Sequence, residues 1–302
     1  MDKVTIVFTI DNKFVTPAYI SIKSLFDSAK QTTIYECLIL SSSVSSQNKK
    51  KLSKLSEGTR HEVKHVSINE KEIFGNKVTY SWPKIVYCKL HLCDILWQYE
   101  KIIFSDVDVF FRRDLAEVWN ENIENVEIAA VAGERNNENI LMHQYYPENK
   151  HQYIYWTGFM VMNLEVMRKR NWTDCCRGNL RNFESRLKMF DLEIINLTAD
   201  RIKQLPLRYV FLESLWECDD IEASEDYIFL RGVYTKEEIE AEKEKAVIIH
   251  YAGSRGKPWL RKNPPDYYFQ YLKSLPFSLK LENIKQTMAF RIRVWGRIIL
   301  RK

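Results

Sequence analysis

The stretch Lys101-Ile-Ile-Phe-Ser-Asp106-Val-Asp108-Val-Phe-Phe111 decides how this chain is read, because an apolar run ends in two acids one residue apart. In an extended backbone, residues two apart point the same way, so both carboxylates converge at the strand's carboxyl end. That pairing suits a hard divalent cation. A cation held by only one or two carboxylates keeps positions open for phosphate oxygens, which points toward a phosphorylated ligand. A triplet of this kind arises roughly once by chance in a chain this long, so a solvated strand end is the competing reading and the flanking sequence must decide.

Upstream, the pattern alternates. Residues 4–10, 34–40, 62–68 and 101–105 read as strands, and 16–26, 46–56 and 84–98 as helices, with Thr16 suited to a cap and Pro17 to the first helical position. Strand and helix in turn imply parallel pairing through crossover helices, hence an α/β sheet with ligands at the carboxyl ends of its strands. Asp11 and Asp106 both stand at such ends. Downstream the alternation loosens: 127–132 reads as a strand, 135–152 as a polar loop, 153–163 as aromatic and apolar, 164–190 as helical and 206–216 as extended or irregular. A charged helix over 234–246 leads into a strong strand, Ala246-Val-Ile-Ile249.

That strand runs into His250-Tyr-Ala-Gly253-Ser-Arg-Gly256-Lys257-Pro-Trp259. An imidazole ligates a borderline divalent ion such as Mn²⁺, glycine lets backbone approach a phosphate, and lysine supplies a point charge. Asp106, Asp108 and His250 therefore form a candidate set of two carboxylates and one imidazole. A structural histidine at a strand end is the competing reading for His250.

Composition narrows the classes. The chain has 302 residues, 45% of them hydrophobic and 13% aromatic, enough to bury a large core. Six cysteines (Cys37, Cys88, Cys93, Cys175, Cys176 and Cys218) show no Cys-x-x-Cys spacing and read as structural thiols of a reducing compartment. The start of the chain does not resemble a signal peptide, and no stretch has the ~18 apolar residues that span a bilayer, so a cytoplasmic location is expected. No Gly-x-Gly-x-x-Gly follows the first strand and no Walker-type lysine loop occurs, which excludes the two common glycine-loop modes of phosphate capture.

The formal charge of +5 is concentrated at one end: residues 285–302 contain Lys285, Arg291, Arg293, Arg297, Arg301 and Lys302 and no acid. Leu281, Ile284, Met288, Ile292, Trp295 and Ile299 recur every three or four residues, with Arg293, Arg297 and Arg301 opposite. A basic amphipathic helix with tryptophan fits an anionic membrane surface; a helix packed on its own domain is the alternative. The chain is accordingly divided into a domain over 1–275 and a basic amphipathic segment over 276–302. Nucleic-acid binding is not expected, since no basic stripe interleaved with aromatics occurs elsewhere.

The ordered set Val7-Phe-Thr-Ile-Asp11, Tyr87-Cys-Lys89-Leu, Phe104-Ser-Asp106-Val-Asp108, and His250-Tyr-Ala-Gly253 with Lys257-Pro-Trp259 resembles the family 8 retaining glycosyltransferases, over roughly residues 4–275. That group includes bacterial lipopolysaccharide galactosyl- and glucosyltransferases and glycogenin. The resemblance implies a GT-A type, Rossmann-like mixed sheet flanked by helices, and transfer of glucose or galactose from a UDP-sugar to a glycan acceptor of lipid- or protein-linked type; the basic tail would place that transfer at the inner face of the plasma membrane. It implies Mn²⁺ (or Mg²⁺) on Asp106, Asp108 and His250. Thr9, Asp11 and Phe14 would hold the uridine, Lys89 and Asp106 the donor, and Gly253 and Lys257 its diphosphate.

The chain also departs from the family. Lys89 replaces the usual arginine, Trp156-Thr157-Gly158 stands where the family has Asn before a small residue and Gly, and Asp191-Leu192-Glu193 replaces Asp-Gln-Asp. Asp191 and Glu193 remain the candidate catalytic residues. Leu192 can neither attack nor stabilise an anomeric carbon; a front-face mechanism, in which the leaving phosphate takes the acceptor proton while metal and lysine absorb its charge, survives this loss. An N-acetylated or other nucleotide-sugar donor, and a non-catalytic nucleotide-sugar-binding protein, are the other readings that these residues leave open.

Overall fold

The structure, a computed structural model, describes residues 2–74, 84–253 and 255–299. Ten strands are assigned in chain order among these residues: β1 (Asp2–Thr9), β2 (Thr33–Ser41), β3 (Glu62–Ser67), β4 (Lys101–Ser105), β5 (Val109–Phe111), β6 (Ile128–Arg135), β7 (Tyr153–Asn163), β8 (Ile202–Leu205), β9 (Phe211–Leu212) and β10 (Ile248–His250). Seven form one sheet in the order β3-β2-β1-β4-β7-β6-β8, and three form a second in the order β5-β10-β9. β1 pairs in parallel with β2 and β4, while β7 runs antiparallel to both β4 and β6, so the large sheet is mixed.

Apolar residues on alternate positions explain why the sheet is covered on both faces. On β1, Val4, Ile6 and Phe8 join the core on one side, and Val7 points to the other. On β4, Ile103 faces the first core and Ile102 and Phe104 the second. Strands buried on two sides read as continuous apolar runs, which is what the sequence shows there.

Three expectations change. The first helix, Val15–Asp27, begins one residue earlier than expected, so Thr16 does not cap it and Pro17 is its third residue rather than its first. The segment expected to be one helix over 84–98 is a 3-10 helix, Lys84–His91, followed by a short helix, Leu92–Ile95. Residues 87–93 are all buried, so the segment sits inside the protein rather than presenting one apolar face. The helical region 164–190 is broken at Asn171, whose φ of 53° is left-handed and ends the helix Leu164–Lys169 before Trp172–Phe183 begins.

The helix Phe277–Ile299 packs against the 3-10 turn Pro258–Leu260. It buries Leu279, and the Thr287 hydroxyl donates to the Trp259 carbonyl oxygen at 3.1 Å. Leu281, Ile284, Met288 and Ile292 are instead exposed. The periodic apolar stripe is therefore not the face that packs on the domain. The side chains of Arg293, Trp295, Arg297 and Ile299, and all of Arg301, lie outside the described residues.

Candidate active site

Asp106 and Asp108 occupy the connection between the two sheets, since β4 ends at Ser105 and β5 begins at Val109. The acids are thus held by two different sheets rather than by one extended strand. The Asp106 N–H donates to the Gly158 carbonyl of β7 at 2.7 Å, and the Tyr251 N–H donates to the Asp108 carbonyl at 2.9 Å. These backbone bonds pin one acid to each sheet. His250 ends β10, paired in register with Val109, so its ring arrives beside the acids.

One ligand atom from each of Asp106, Asp108 and His250 lies within 4.8 Å of the others. His250 Nε2 is 3.4 Å from Asp108 Oδ1, and its Nδ1 is buried with no hydrogen-bond partner. Two carboxylates and an imidazole around one point fit a divalent ion of the Mn²⁺ type. Gly158 lies directly beneath: a Cβ there would come 2.6 Å from His250 Cε1 and 3.1 Å from Asp106 Oδ2. Only glycine leaves the imidazole room.

Two lysines meet the acids. Lys89, 4% exposed, places its ammonium 2.9 Å from both Asp106 Oδ1 and Asp191 Oδ2 and over the Phe104 ring at 4.7 Å. Burial opposes its charge, but the two carboxylates prevail and hold the ammonium above its ordinary pKa. Lys257 pairs with Asp108 Oδ2 and donates to the Tyr251 carbonyl at 2.8 Å. Burial pushes Asp108 up, yet the nearby Lys257 and His250 outweigh it and leave its carboxyl well below the usual range. Asp106 is raised, by burial first and by its neighbours Asp108 and Asp191, against the pull of Lys89. Three carboxylates, Asp106, Asp108 and Asp191, meet the two ammonium groups of Lys89 and Lys257, and a divalent cation would add charge compensation there.

A cavity of about 490 Å³ opens over this cluster. Thr9, the last residue of β1, and Asp11 and Phe14 just beyond it also line the cavity. Asp11 Oδ1 accepts from the backbone N–H of Lys13 and Phe14 at 2.7 and 3.3 Å, which turns the chain and leaves the Phe14 ring 41% exposed, edge-on to Trp259 at 6.4 Å. An aromatic face beside an acid suits a nucleobase. Lys89, Asp191, Gly253, His250 and the acid pair also reach the cavity.

Asp191 begins the helix Asp191–Thr198, and its Oδ2 accepts from the Thr157 hydroxyl at 3.3 Å. Glu193 points elsewhere: it is 2% exposed, accepts from the N–H of Lys188 and Met189 at 2.8 and 3.0 Å, and burial raises its pKa. It shapes the 188–190 turn, whereas Asp191 faces the cleft. Lys257 reaches the site only through Asp108.

Sequence reasoning passed over Asp226, which lines the cavity at 2% exposure and accepts from the Ser214 hydroxyl. A Cβ at Gly253 would come 2.3 Å from Asp226 Oδ2, so this glycine is required by packing as well as by the cleft. His143 was passed over too. It lies in the expected polar loop and is held by Glu134, whose carboxylate accepts from the N–H of Leu141, Met142 and His143 and contacts His143 Nδ1 at 2.9 Å. Nothing in a polar stretch without periodicity signals such a turn.

A mixed sheet of this strand order, with a paired-acid connection leading into a cleft at the strands' carboxyl ends, is the architecture of the GT-A type glycosyltransferases. The family described as Glycosyl transferase family 8 matches residues 5–263, and the chain belongs to that family. Its enzyme class is hexosyltransferase. A Haemophilus influenzae (strain ATCC 51907 / DSM 11121 / KW20 / Rd) protein named "Putative glycosyltransferase" is 21% identical over 93% of this chain and 86% of its own length.

Among solved structures, the apo form of the bifunctional glycosyltransferase WbbM superposes with a TM-score of 0.75 at 21% identity. It covers 95% of this chain, which spans about half, 52%, of WbbM. The galactosyltransferase LgtC, in complex with donor and acceptor sugar analogs, superposes with a TM-score of 0.72 at 16% identity over 92% of this chain and 99% of its own. At these identities the likeness establishes the fold.

Proposed function

We propose that the chain transfers a hexosyl unit from a UDP-sugar to a glycan acceptor, with retention of anomeric configuration. The observation that carries the reading is the cluster Asp106, Asp108 and His250 opening onto the same cavity as Asp11 and Phe14. A nucleobase against Phe14 and a diphosphate over the cluster would place the sugar between the metal set and Asp191. A bound Mn²⁺ (or Mg²⁺) would supply charge neutralisation for the diphosphate and for the charge it gains on leaving.

The chain's own residues supply the rest. Lys257, now paired with Asp108, would offer its ammonium to a phosphate oxygen if a metal compensated Asp108 instead. Gly253 lets backbone approach the diphosphate. Lys89 fixes Asp191 and Asp106 in one arrangement, so Asp191 offers its carboxylate to a sugar hydroxyl without having to be ordered first. In front-face transfer the acceptor oxygen bonds to the anomeric carbon as the bond from that carbon to phosphate oxygen breaks, and the acceptor's proton passes to the departing diphosphate. No protein nucleophile is required, which fits Leu192 beside Asp191.

The same proposal places the enzyme on the cytoplasmic face of an anionic membrane, beside lipid-linked acceptors. Support comes from the exposed stripe Leu281, Ile284, Met288 and Ile292 on a helix that already packs on the domain by another face. Lys285 and Arg291 are exposed on the same helix, and residues 285–302 carry no acid. Among the described residues, no helix is long and apolar enough to cross a membrane. Residues 276–302 act in this reading as a surface-binding segment.

Calorimetry of UDP binding tests the reading. Tight binding with Mn²⁺ and at least tenfold weaker binding without it is expected, together with an axial anomer in the NMR spectrum of the product of an α-configured donor. Metal-independent UDP binding, or an inverted product, would refute it.

A further inference from the structure

The sugar end of the cleft has two unlike sides. One is polar: Lys89 and Asp191 form an ion pair, and the Thr157 hydroxyl donates to Asp191. The other is apolar, made of Trp156, Leu192 and Phe229, which line the cavity at 8%, 9% and 5% exposure. Trp156 and Phe229 meet edge to face, with ring centroids 6.4 Å apart. Trp156 stands two residues before Gly158 where the pairing of β7 with β6 is irregular, and both line the cavity together with Asp106 and His250. A sugar attached to a diphosphate held at the metal set would extend within this same cavity.

This apolar side is built rather than incidental. A Cβ at Gly133 would come 2.2 Å from Trp156 Nε1 and 2.4 Å from Cε2, so the indole rests directly on the β6 backbone at a position only glycine permits. Asn196 clamps the helix that carries Leu192 to the strand that carries Trp156. Its Oδ1 accepts from the Tyr155 N–H at 2.8 Å, and its Nδ2 donates to the carbonyls of Tyr155 and Leu192, each at 2.8 Å. The two side chains thus keep a fixed separation before any ligand arrives.

A sugar hydroxyl pressed against such a wall loses water and gains no partner, whereas a methyl group gains burial at no polar cost. We propose that the Trp156, Leu192 and Phe229 wall selects a donor sugar with a methyl-bearing substituent, an N-acetylhexosamine or a 6-deoxyhexose, over unsubstituted glucose or galactose. This rests on the nucleotide-sugar reading of the cleft and narrows its donor.

The test is calorimetry on the Mn²⁺-loaded protein with UDP, UDP-glucose, UDP-galactose, their N-acetylated counterparts and UDP-6-deoxyglucose. A methyl-sized group in an apolar pocket discriminates by about 10- to 200-fold, so at least one methyl-bearing donor is expected to bind tenfold or more tighter than its parent. The two sets of donors distinguish an acetamido methyl from a 6-deoxy methyl. Trp156→Asn and Leu192→Gln should each erase the preference while UDP itself binds as in wild type. Gly133→Ala, which drives the indole into the cavity, should weaken the preferred donor alone. Equal affinity for parent and methyl-bearing donors, or a preference that survives both wall substitutions, would overturn the inference. UDP binding tells the two levels apart: its absence removes the nucleotide-sugar reading as well, and its presence with indifferent sugars removes only the wall's role.

Discussion

Gly158→Ala perturbs the proposed metal set without touching a ligand. The added Cβ would stand 2.6 Å from His250 Cε1 and 3.2 Å from His250 Nε2. Carbon atoms in contact settle at about 3.5–4.0 Å, so the imidazole must withdraw by roughly 1 Å. His250 is 6% exposed and closes a strand between β5 and β9, which leaves it nowhere to go. Coordination distances tolerate about 0.2 Å, so the ring ceases to ligate. Overpacking of this kind costs about 1–3 kcal/mol of stability. Displacing a ligand should weaken Mn²⁺ binding by a factor of about 10–100, in line with losses seen when ligands are misoriented, or about 1.4–2.7 kcal/mol. The assay is Mn²⁺ calorimetry on wild type and variant, with thermal melting to measure the fold. Gly178→Ala is the control, since a Cβ there meets nothing within 4 Å in the middle of the helix Trp172–Phe183, and about 0.5–1 kcal/mol of stabilisation is expected. Mn²⁺ affinity within twofold of wild type in Gly158→Ala would refute the assignment of His250 to the metal.

Three further outcomes are expected. Lys89→Met strips the buried counter-charge from Asp106 and Asp191 and should cost about 3–5 kcal/mol in chemical denaturation, with Mn²⁺ raising the melting temperature more in the variant than in wild type; an unchanged midpoint would show the ion triad to be dispensable. His91 is buried, and desolvation lowers its pKa from 6.5 to about 4, so the unfolded chain binds the extra proton: stability is complete above pH 6.5 and falls by up to about 3 kcal/mol as pH drops to 4. That loss, read from denaturant midpoints, should shrink in His91→Gln. The 302-residue chain should sediment with anionic vesicles and stay in solution with zwitterionic ones, and truncation after Lys280 should abolish sedimentation; each cation near the surface contributes about 1 kcal/mol, so the effect fades at high salt.

Much of the fold was legible because β1, β2 and β4 are apolar on both faces, and a strand buried on two sides has few ways to look like anything else. The Asp106 and Asp108 pair was legible as a place but not as a geometry. An extended strand was expected to aim both carboxylates, whereas the two acids are fixed by separate sheets through Gly158 and Tyr251. Spacing along the chain carries no information about such a junction, because the partners are 52 and 143 residues away. The 84–98 segment misled for a related reason: Tyr87 through Cys93 are buried all round, and periodicity reports a face only where one side meets water. Asp191 and Glu193 look equivalent in sequence, yet one oxygen of Asp191 meets Lys89 while Glu193 is occupied by two backbone N–H groups. Gly133 carried no signal of its own, since its meaning lies in the indole of Trp156 on the neighbouring strand.

The most direct test of the central claim is UDP release from UDP-sugars with Mn²⁺, measured on wild type beside Asp106→Ala and Asp108→Ala. Release by wild type that falls by at least a hundredfold in both variants, while each still unfolds in a single cooperative transition, is the expected result. Release that persists in both variants would contradict a metal-dependent transferase centred on these two carboxylates.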